Sequence, residues 1–217
     1  MSKIIRSLIT QREEINQYGG LSDSLEKEYV DYFRSLGITA FPVSNFVDVN
    51  SILENTKWNL IILTGGGILP REAYTFDKSG MRQTHRDALE KVLVTHALEN
   101  DIPLVGICRG MQFINYTLGG KIDSVDKCIN SRKIKEAHAV HVDEENILVN
   151  NYHDDVICVK GLNQELLPIA IDDENQTVEA FKHKSKRVLG IQWHPERVGN
   201  SDMAVEWCKR KIVELLL

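Results

Sequence analysis

Ile102-Pro103-Leu104-Val105-Gly106-Ile107-Cys108-Arg109-Gly110-Met111-Gln112 is the stretch that decides the fold. Its first part is continuously apolar, as a strand is when both faces of a parallel sheet are covered. Cys108 then stands in the word Gly-x-Cys-x-Gly, with a helix expected over 110–118 and the pair Gly119-Gly120 closing it. This is the pattern of a strand–turn–helix nucleophile elbow, with Cys in the place of Ser. A nucleophile on so sharp a turn projects from the sheet while the chain folds straight back, and bulky residues two positions to either side would collide. The helix aims its free amide N–H groups and the positive end of its dipole at the sulfur, a favourable setting for a thiolate. A buried cysteine at a strand end is the plain alternative, and the two flanking glycines speak against it.

Working outward, strands are expected over 3–10, 38–43, 59–64 and 102–107, with helices over 24–36 and 86–99. Leu25, Tyr29, Phe33 and Leu36 line one face of the first helix, which Gly37 stops. Leu89, Val92, Leu93 and Ala97 form the stripe of the second. The second half changes character, with short strand-like runs at 139–142, 146–150, 156–160, 167–171, 177–181 and 188–193. A last helix from about residue 201 presents Ala204, Trp207, Cys208, Ile212 and Leu215 to one side. Alternating strands and helices mean a parallel sheet, and consecutive strands add an antiparallel portion. The expectation is therefore an α/β fold: one domain over 1–217, an open, mostly parallel sheet with flanking helices and an added antiparallel part. In such sheets sites form beyond the carboxyl ends of strands, here just after Leu63 and just after Ile107.

Thr64-Gly65-Gly66-Gly67 occupies the first of those places. Successive glycines can turn backbone N–H groups inward as an oxyanion hole or an anion nest. No Gly-Lys-Ser/Thr follows, so this is not a nucleotide P-loop. Beside a nucleophile elbow, the loop becomes a source of a second oxyanion donor next to the backbone N–H of Arg109. A cysteine nucleophile also needs a base, and the base an orienting acceptor. Of seven histidines, His194 stands out, because Gly190-Ile191-Gln192-Trp193-His194-Pro195-Glu196 is an apolar strand ending in His-Pro-Glu. Residues i and i+2 of an extended chain share a face, and Pro195 favours extension before it, so Glu196 can hold one imidazole nitrogen while the other faces a thiol. His138 and His141 read as structural, His85 and His96 lie on or beside a helix, and His183 sits at a solvated hairpin tip. His153, in Asn151-Tyr152-His153-Asp154-Asp155, is a candidate site-lining residue.

Composition narrows the classes of function. The 26 basic residues stand against 31 acidic ones, which gives no electrostatic footprint for nucleic acid. No apolar run approaches the length of a membrane span and the N-terminal residues lack a signal-peptide pattern, so the cytoplasm is the expected location. Cys108, Cys128, Cys158 and Cys208 contain no Cys-x-x-Cys pair, so no zinc site, redox dithiol or disulfide framework is expected. Neither a metal nor another cofactor is called for.

With these words in hand, the chain resembles the class I glutamine amidotransferase superfamily, and within it the γ-glutamyl hydrolase branch. The resemblance rests on residues 64–67, on Gly106 to Gln112 with Leu118-Gly119-Gly120, and on Gly190 to Glu196; Arg86-Asp87 fits the same branch. It implies a Cys108–His194–Glu196 triad, a γ-glutamyl thioester and release of glutamate. It further implies that Gly67 and Arg109 supply oxyanion N–H groups, that Gln112 helps hold the glutamyl group, and that Gly66 lies against the substrate. A small-molecule γ-glutamyl substrate is thus expected, with a separate synthetase as a partner the chain allows but does not require. A non-catalytic sensor on the same fold would not need the complete set of three. Relatives often carry Ser-Tyr/Phe-His-His-Gln where this chain has residues 151–155, so two aspartates change the charge near the pocket. The chain as a whole is also similar to hydrolases that release glutamate from a cytidine-nucleotide amidate in bacterial capsule synthesis. In that reading the loop 68–85, with Arg71, Lys78, Arg82 and His85, receives a phosphate, and Arg71 and Arg82 are its expected ligands. A solvated surface loop is the alternative.

Overall fold

Three neighbouring strand ends bring the three words together. The computed structural model describes residues 4–124 and 137–217. In chain order its elements are β1 (Ile5–Thr10), β2 (Arg12–Ile15), β3 (Leu21–Ser24), α1 (Lys27–Ser35), β4 (Ile38–Val43), α2 (Val49–Asn55), β5 (Leu60–Leu63), α3 (Thr84–Asn100), β6 (Leu104–Ile107) and α4 (Arg109–Thr117). They continue with β7 (Asp123–Ser124), β8 (His138–Val142), β9 (Glu145–Val149), β10 (Asp155–Val156), β11 (Leu166–Asp172), β12 (Thr177–His183), β13 (Val188–Ile191) and α5 (Asp202–Leu216). The large sheet has the order β4-β1-β5-β6-β13-β12-β11-β8-β9. From β4 to β13 the strands are parallel, and from β13 onward each neighbour is antiparallel. This is the expected α/β sheet with its antiparallel addition. Leu63 pairs in register with Gly106, and Ile107 with Ile191, so the glycine loop, the elbow and the His-Pro-Glu word all leave the same edge.

Alternation along the strands explains their unbroken apolar character. Ile61, Leu63 and Leu104 join Leu93, Phe113 and Ile114 on the face covered by α3 and α4. Leu60, Ile62, Val105 and Ile107 join Tyr29, Phe33, Trp207 and Ile212 on the face covered by α1 and α5. Gly37, at φ 73°, takes the left-handed conformation that stops α1.

The differences from expectation have local causes. Lys3 lies outside the described residues. The first helix begins at Lys27 rather than residue 24, because Arg12–Ile15 and Leu21–Ser24 pair as a hairpin in what reads as a polar loop. The short helix α2 went unread, since only Val49 and Leu53 of its seven residues are buried. The strand expected over 156–160 ends at Val156 and gives way to a single 3₁₀ turn over Val159–Gly161. Cys158 is disulfide-bonded, which corrects the expectation of no disulfide, whereas Cys108 and Cys208 are free thiols. Sequence spacing carries no information on which sulfurs meet in space. Cys128 lies outside the described residues. No helix of the described residues is long and apolar enough to cross a membrane.

Candidate active site

Cys108 has φ 53° and ψ −110°, a conformation that side-chain-bearing residues avoid unless their surroundings impose it. Its N–H donates to Ile191 O at 2.7 Å, and the N–H of Gln112 donates to Cys108 O at 3.1 Å, which pins the turn from both sides. The flanking glycines are required by close approach. A Cβ on Gly106 would lie 2.6 Å from the Gly110 backbone, and one on Gly110 would strike Leu63 O. As the first residue of α4, Arg109 has a backbone N–H without an intrahelical acceptor.

His194 reaches the elbow from β13. Its Nδ1 lies 2.6 Å from Glu196 Oε1, and the ring shares the cleft with Cys108: a Cβ on Gly65 would lie 2.8 Å from His194 Cε1 and 3.3 Å from Cys108 Cβ. Asn150 fixes the histidine backbone through His194 N–H to Asn150 Oδ1 at 2.9 Å and Asn150 Nδ2 to His194 O at 2.8 Å. Burial alone would lower the His194 pKa, but the Cys108 thiolate and the Glu196 carboxylate on either side push it up to about 10. At neutral pH the ring therefore carries its second proton as an imidazolium. Tyr29, which reads from sequence only as part of an apolar stripe, is also here. Its hydroxyl lies 3.4 Å from His194 Nδ1 and accepts the Gly65 N–H at 2.9 Å. Burial first, then the Glu196 and Cys108 charges, raise the Tyr29 pKa, so the phenol stays neutral.

The glycine loop is held from behind by Arg86, which is wholly buried. Its guanidinium donates to Thr64 O (2.5 Å), Gly65 O (3.1 Å), Gly66 O (2.8 Å), Thr64 Oγ1 (3.0 Å) and Glu90 Oε1 (2.7 Å). In a trans peptide the N–H points opposite to the preceding C=O. Clamping the Gly65 and Gly66 carbonyls on the Arg86 side thus turns the N–H groups of Gly66 and Gly67 the other way, toward the cleft they line. Gly66 and Gly67 have φ of 79° and 76°, the left-handed backbone this requires. Glu90 also accepts from Arg109 Nη1 at 2.5 Å, and Arg109 Nη2 pairs with Asp87. One buried carboxylate therefore joins the loop clamp to the elbow. Arg86-Asp87 was a visible sequence signal, but its mechanical role was not.

The cleft over Cys108 has a volume of about 270 Å³. Gly66, Gly67, Arg109, Gln112, His153 and His194 line it. Gln112 Nε2 donates to Asp155 O at 3.0 Å and His153 Nδ1 lies 3.1 Å from the same oxygen, which makes one wall. The two aspartates of that wall are compensated: Lys78 Nζ reaches Asp154 at 2.9 Å and Asp155 at 2.8 Å. Burial is the foremost cause that raises the Asp155 pKa.

Arg71 and Arg82, by contrast, do not line the cleft. Arg71 is exposed and pairs with Asp77 at 2.6 Å, while Arg82 spends its donors on the Leu69 and Lys78 carbonyls within its own loop. The arginines that line the cleft besides Arg109 are Arg12 and Arg197, which sequence reasoning missed; Arg197 directly follows His-Pro-Glu, the one signal that could have found it. Half-exposed His85 meets Glu13 at 3.2 Å, and His141 is exposed. His183 accepts the Ser185 and Lys186 N–H groups at 3.1 Å each, which gives the hairpin tip a structural histidine. His138 sits with Asp172 and Glu179, their donor atoms within 4.8 Å of one another. Asp172 and Glu179 already accept from Glu174, Asn175 and Thr177.

The chain has relatives among known proteins. Residues 5–196 match the Peptidase C26 family. The chain belongs to that family. Over 180 residues it is 31% identical to the γ-glutamyl-CDP-amidate hydrolase of Campylobacter jejuni, spanning 82% of this chain and 81% of that one. Over 193 residues it is 33% identical to a glutamine amidotransferase-like protein of Lactococcus lactis, spanning 78% and 79% respectively. The crystal structure of a glutamine amidotransferase from Thermotoga maritima superposes with a TM-score of 0.62 over 98% of this chain and 84% of that one. At 19% identity that likeness concerns the fold alone. This Peptidase C26 member is an enzyme, a glutamine amidotransferase-like hydrolase of a γ-glutamyl amide.

Proposed function

We propose that the chain cleaves its γ-glutamyl amide through a thioester on Cys108, and that the amide nitrogen belongs to a nucleotide amidate such as the one named for the C. jejuni relative. The observation that carries the reading is His194, which lines one cleft with Cys108 and lies 2.6 Å from Glu196. The Cys108 sulfur attacks the γ-carbonyl carbon, and the oxyanion that forms meets the N–H groups of Gly67 and Arg109. Collapse breaks the carbon–nitrogen bond, and the His194 imidazolium gives its proton to the departing nitrogen. The neutral ring then takes a proton from water as its oxygen attacks the thioester. The carbon–sulfur bond breaks, and glutamate leaves with the water oxygen. Glu196 holds the ring and stabilises its charged form without accepting the proton. The cytoplasm and capsule synthesis are the setting that the resemblance to amidate hydrolases implies.

Glutamate release from γ-glutamyl-CDP-amidate, glutamine and a neutral γ-glutamyl anilide tests the proposal, with Cys108→Ala as control. The isolated chain should turn over the amidate with the highest kcat/KM and without any partner. Release that persists in Cys108→Ala would remove the thioester, and turnover of glutamine alone, only with a synthetase present, would replace hydrolysis by ammonia supply.

A further inference from the structure

Two arginines stand over the mouth of the cleft, tied to each other through Glu26. Arg197 Nη2 donates to Glu26 Oε2 at 2.5 Å, and Arg12 Nη1 lies 3.8 Å from Glu26 Oε1. Arg12 also pairs with Glu14. Among the described residues each guanidinium makes one side-chain hydrogen bond, to Glu14 and to Glu26, which leaves most of its five donors uncommitted. Their side chains are 33% and 25% exposed, so a ligand in the cleft can reach them.

Their position fixes which part of the substrate they meet. The Arg12 guanidinium lies across the glycine loop, with Nη1 2.9 Å from where a Gly66 Cβ would stand. The Arg197 guanidinium stacks over the Tyr152 ring at 4.7 Å, and that ring meets His194 edge-on at 5.7 Å. The backbone of Arg197 is anchored, since its carbonyl accepts from Asn200 Nδ2 at 3.0 Å and Asn150 Nδ2 at 3.4 Å. Arg197 therefore reaches His194 through the Tyr152 ring, and Arg12 lies across the loop whose Gly65 would carry a Cβ 2.8 Å from His194 Cε1; His194 must face the departing nitrogen to protonate it. Gln112, His153 and Asp155, which line the same cleft, are left for the glutamyl group.

On the hydrolase reading above, we propose that Arg12 and Arg197 form the leaving-group site and select a phosphate-bearing amine over a neutral one. A phosphate bridges the two guanidiniums and takes over from Glu26, offering more acceptor oxygens and more charge than one carboxylate. Arg71 and Arg82, which do not line the cleft, take no part.

The test is a ratio: kcat/KM for γ-glutamyl-CDP-amidate divided by kcat/KM for a neutral γ-glutamyl anilide, measured on one preparation so that the active fraction cancels. Arg12→Ala and Arg197→Ala should each lower this ratio by about 10- to 100-fold, the range for losing a charge-assisted hydrogen bond. Arg71→Ala should leave it as in the wild type. An unchanged ratio in both cleft variants overturns the proposal, whether the two rates fall together or not at all. A binding measurement separates it from the reaction itself. Cytidine diphosphate should bind the Cys108→Ala protein in a calorimeter and bind at least tenfold more weakly once Arg12 or Arg197 is also replaced. Absence of saturable binding, or binding indifferent to both arginines, overturns the assignment even if γ-glutamyl amides are hydrolysed.

Discussion

Arg86→Lys tests how the oxyanion loop is held. Lysine keeps the charge that Glu90 needs, but its ammonium has three donors where the guanidinium satisfies five contacts: three loop carbonyls, Thr64 Oγ1 and Glu90. At least two buried acceptors lose their partner, each costing about 1–3 kcal/mol, for a total of about 2–6 kcal/mol. At about 2–4 °C per kcal/mol for a chain of this size, Tm should fall by about 4–24 °C. A fold with about 5–15 kcal/mol to lose survives most of that range at 25 °C. The catalytic effect follows from the peptide planes. Once the Gly66 carbonyl is released, the Gly67 N–H is no longer aimed, and loss of one oxyanion donor costs about 10²–10³ in kcat. Steady-state kinetics at 25 °C should show kcat lowered by about 10²-fold with KM little changed, beside calorimetric unfolding of the same sample. Wild-type kcat together with a Tm within a degree or two would refute the clamp.

Glu196→Gln should shift an alkaline transition. The folded His194 pKa, raised to about 10, exceeds the unfolded value of about 6.5. Its charge therefore contributes stability that is full below about pH 6.5 and lost as pH rises through about 10. Removing the Glu196 anion lowers the folded pKa, so urea unfolding followed against pH should show a smaller loss that still sets in near the unfolded value but is complete at lower pH; an unmoved end point would uncouple Glu196 from His194. Gly67→Ala puts a side chain at φ 76° with its Cβ 2.5 Å from Gln83 Cδ. Strain of about 1–3 kcal/mol and a displaced N–H should cut kcat/KM by about 10²-fold with an unaltered circular dichroism spectrum; full activity would exclude the loop from the oxyanion site.

What was legible follows from what is local. Gly106, Gly110, the triplet at 65–67 and His-Pro-Glu each encode a backbone demand within a few residues, so the elbow, the loop and the imidazole–carboxylate pair could be read directly. The parallel character of β5 and β6 followed from unbroken apolar runs, whereas the parallel pairing of β13 with β6 did not, since 188–193 reads as one more of the consecutive short strands. Groups joined by long-range contacts could not be read this way. Tyr29 looks like any helix-face aromatic, and only the packing of α1 brings its hydroxyl to His194. Arg12 reaches the cleft because β2 and β3 form a hairpin whose Glu13 accepts the Arg86 N–H at 2.8 Å and so takes the part of an N-cap for α3. Loop charge misled for a related reason. Arg71 and Arg82 are close in sequence to the site's loop, but Asp77 and the loop's own carbonyls claim them, whereas Lys78 is used to offset Asp154 and Asp155.

The central claim is a covalent one, and acid-quenched mass spectrometry of the enzyme during turnover tests it most directly. With γ-glutamyl-CDP-amidate in excess, the peptide that carries Cys108 should gain the mass of one γ-glutamyl group. The gain should be absent from the peptide of the buried thiol Cys208, vanish on treatment with hydroxylamine, and be missing in Cys108→Ala. Turnover without that adduct, or an adduct on another residue, would contradict the account.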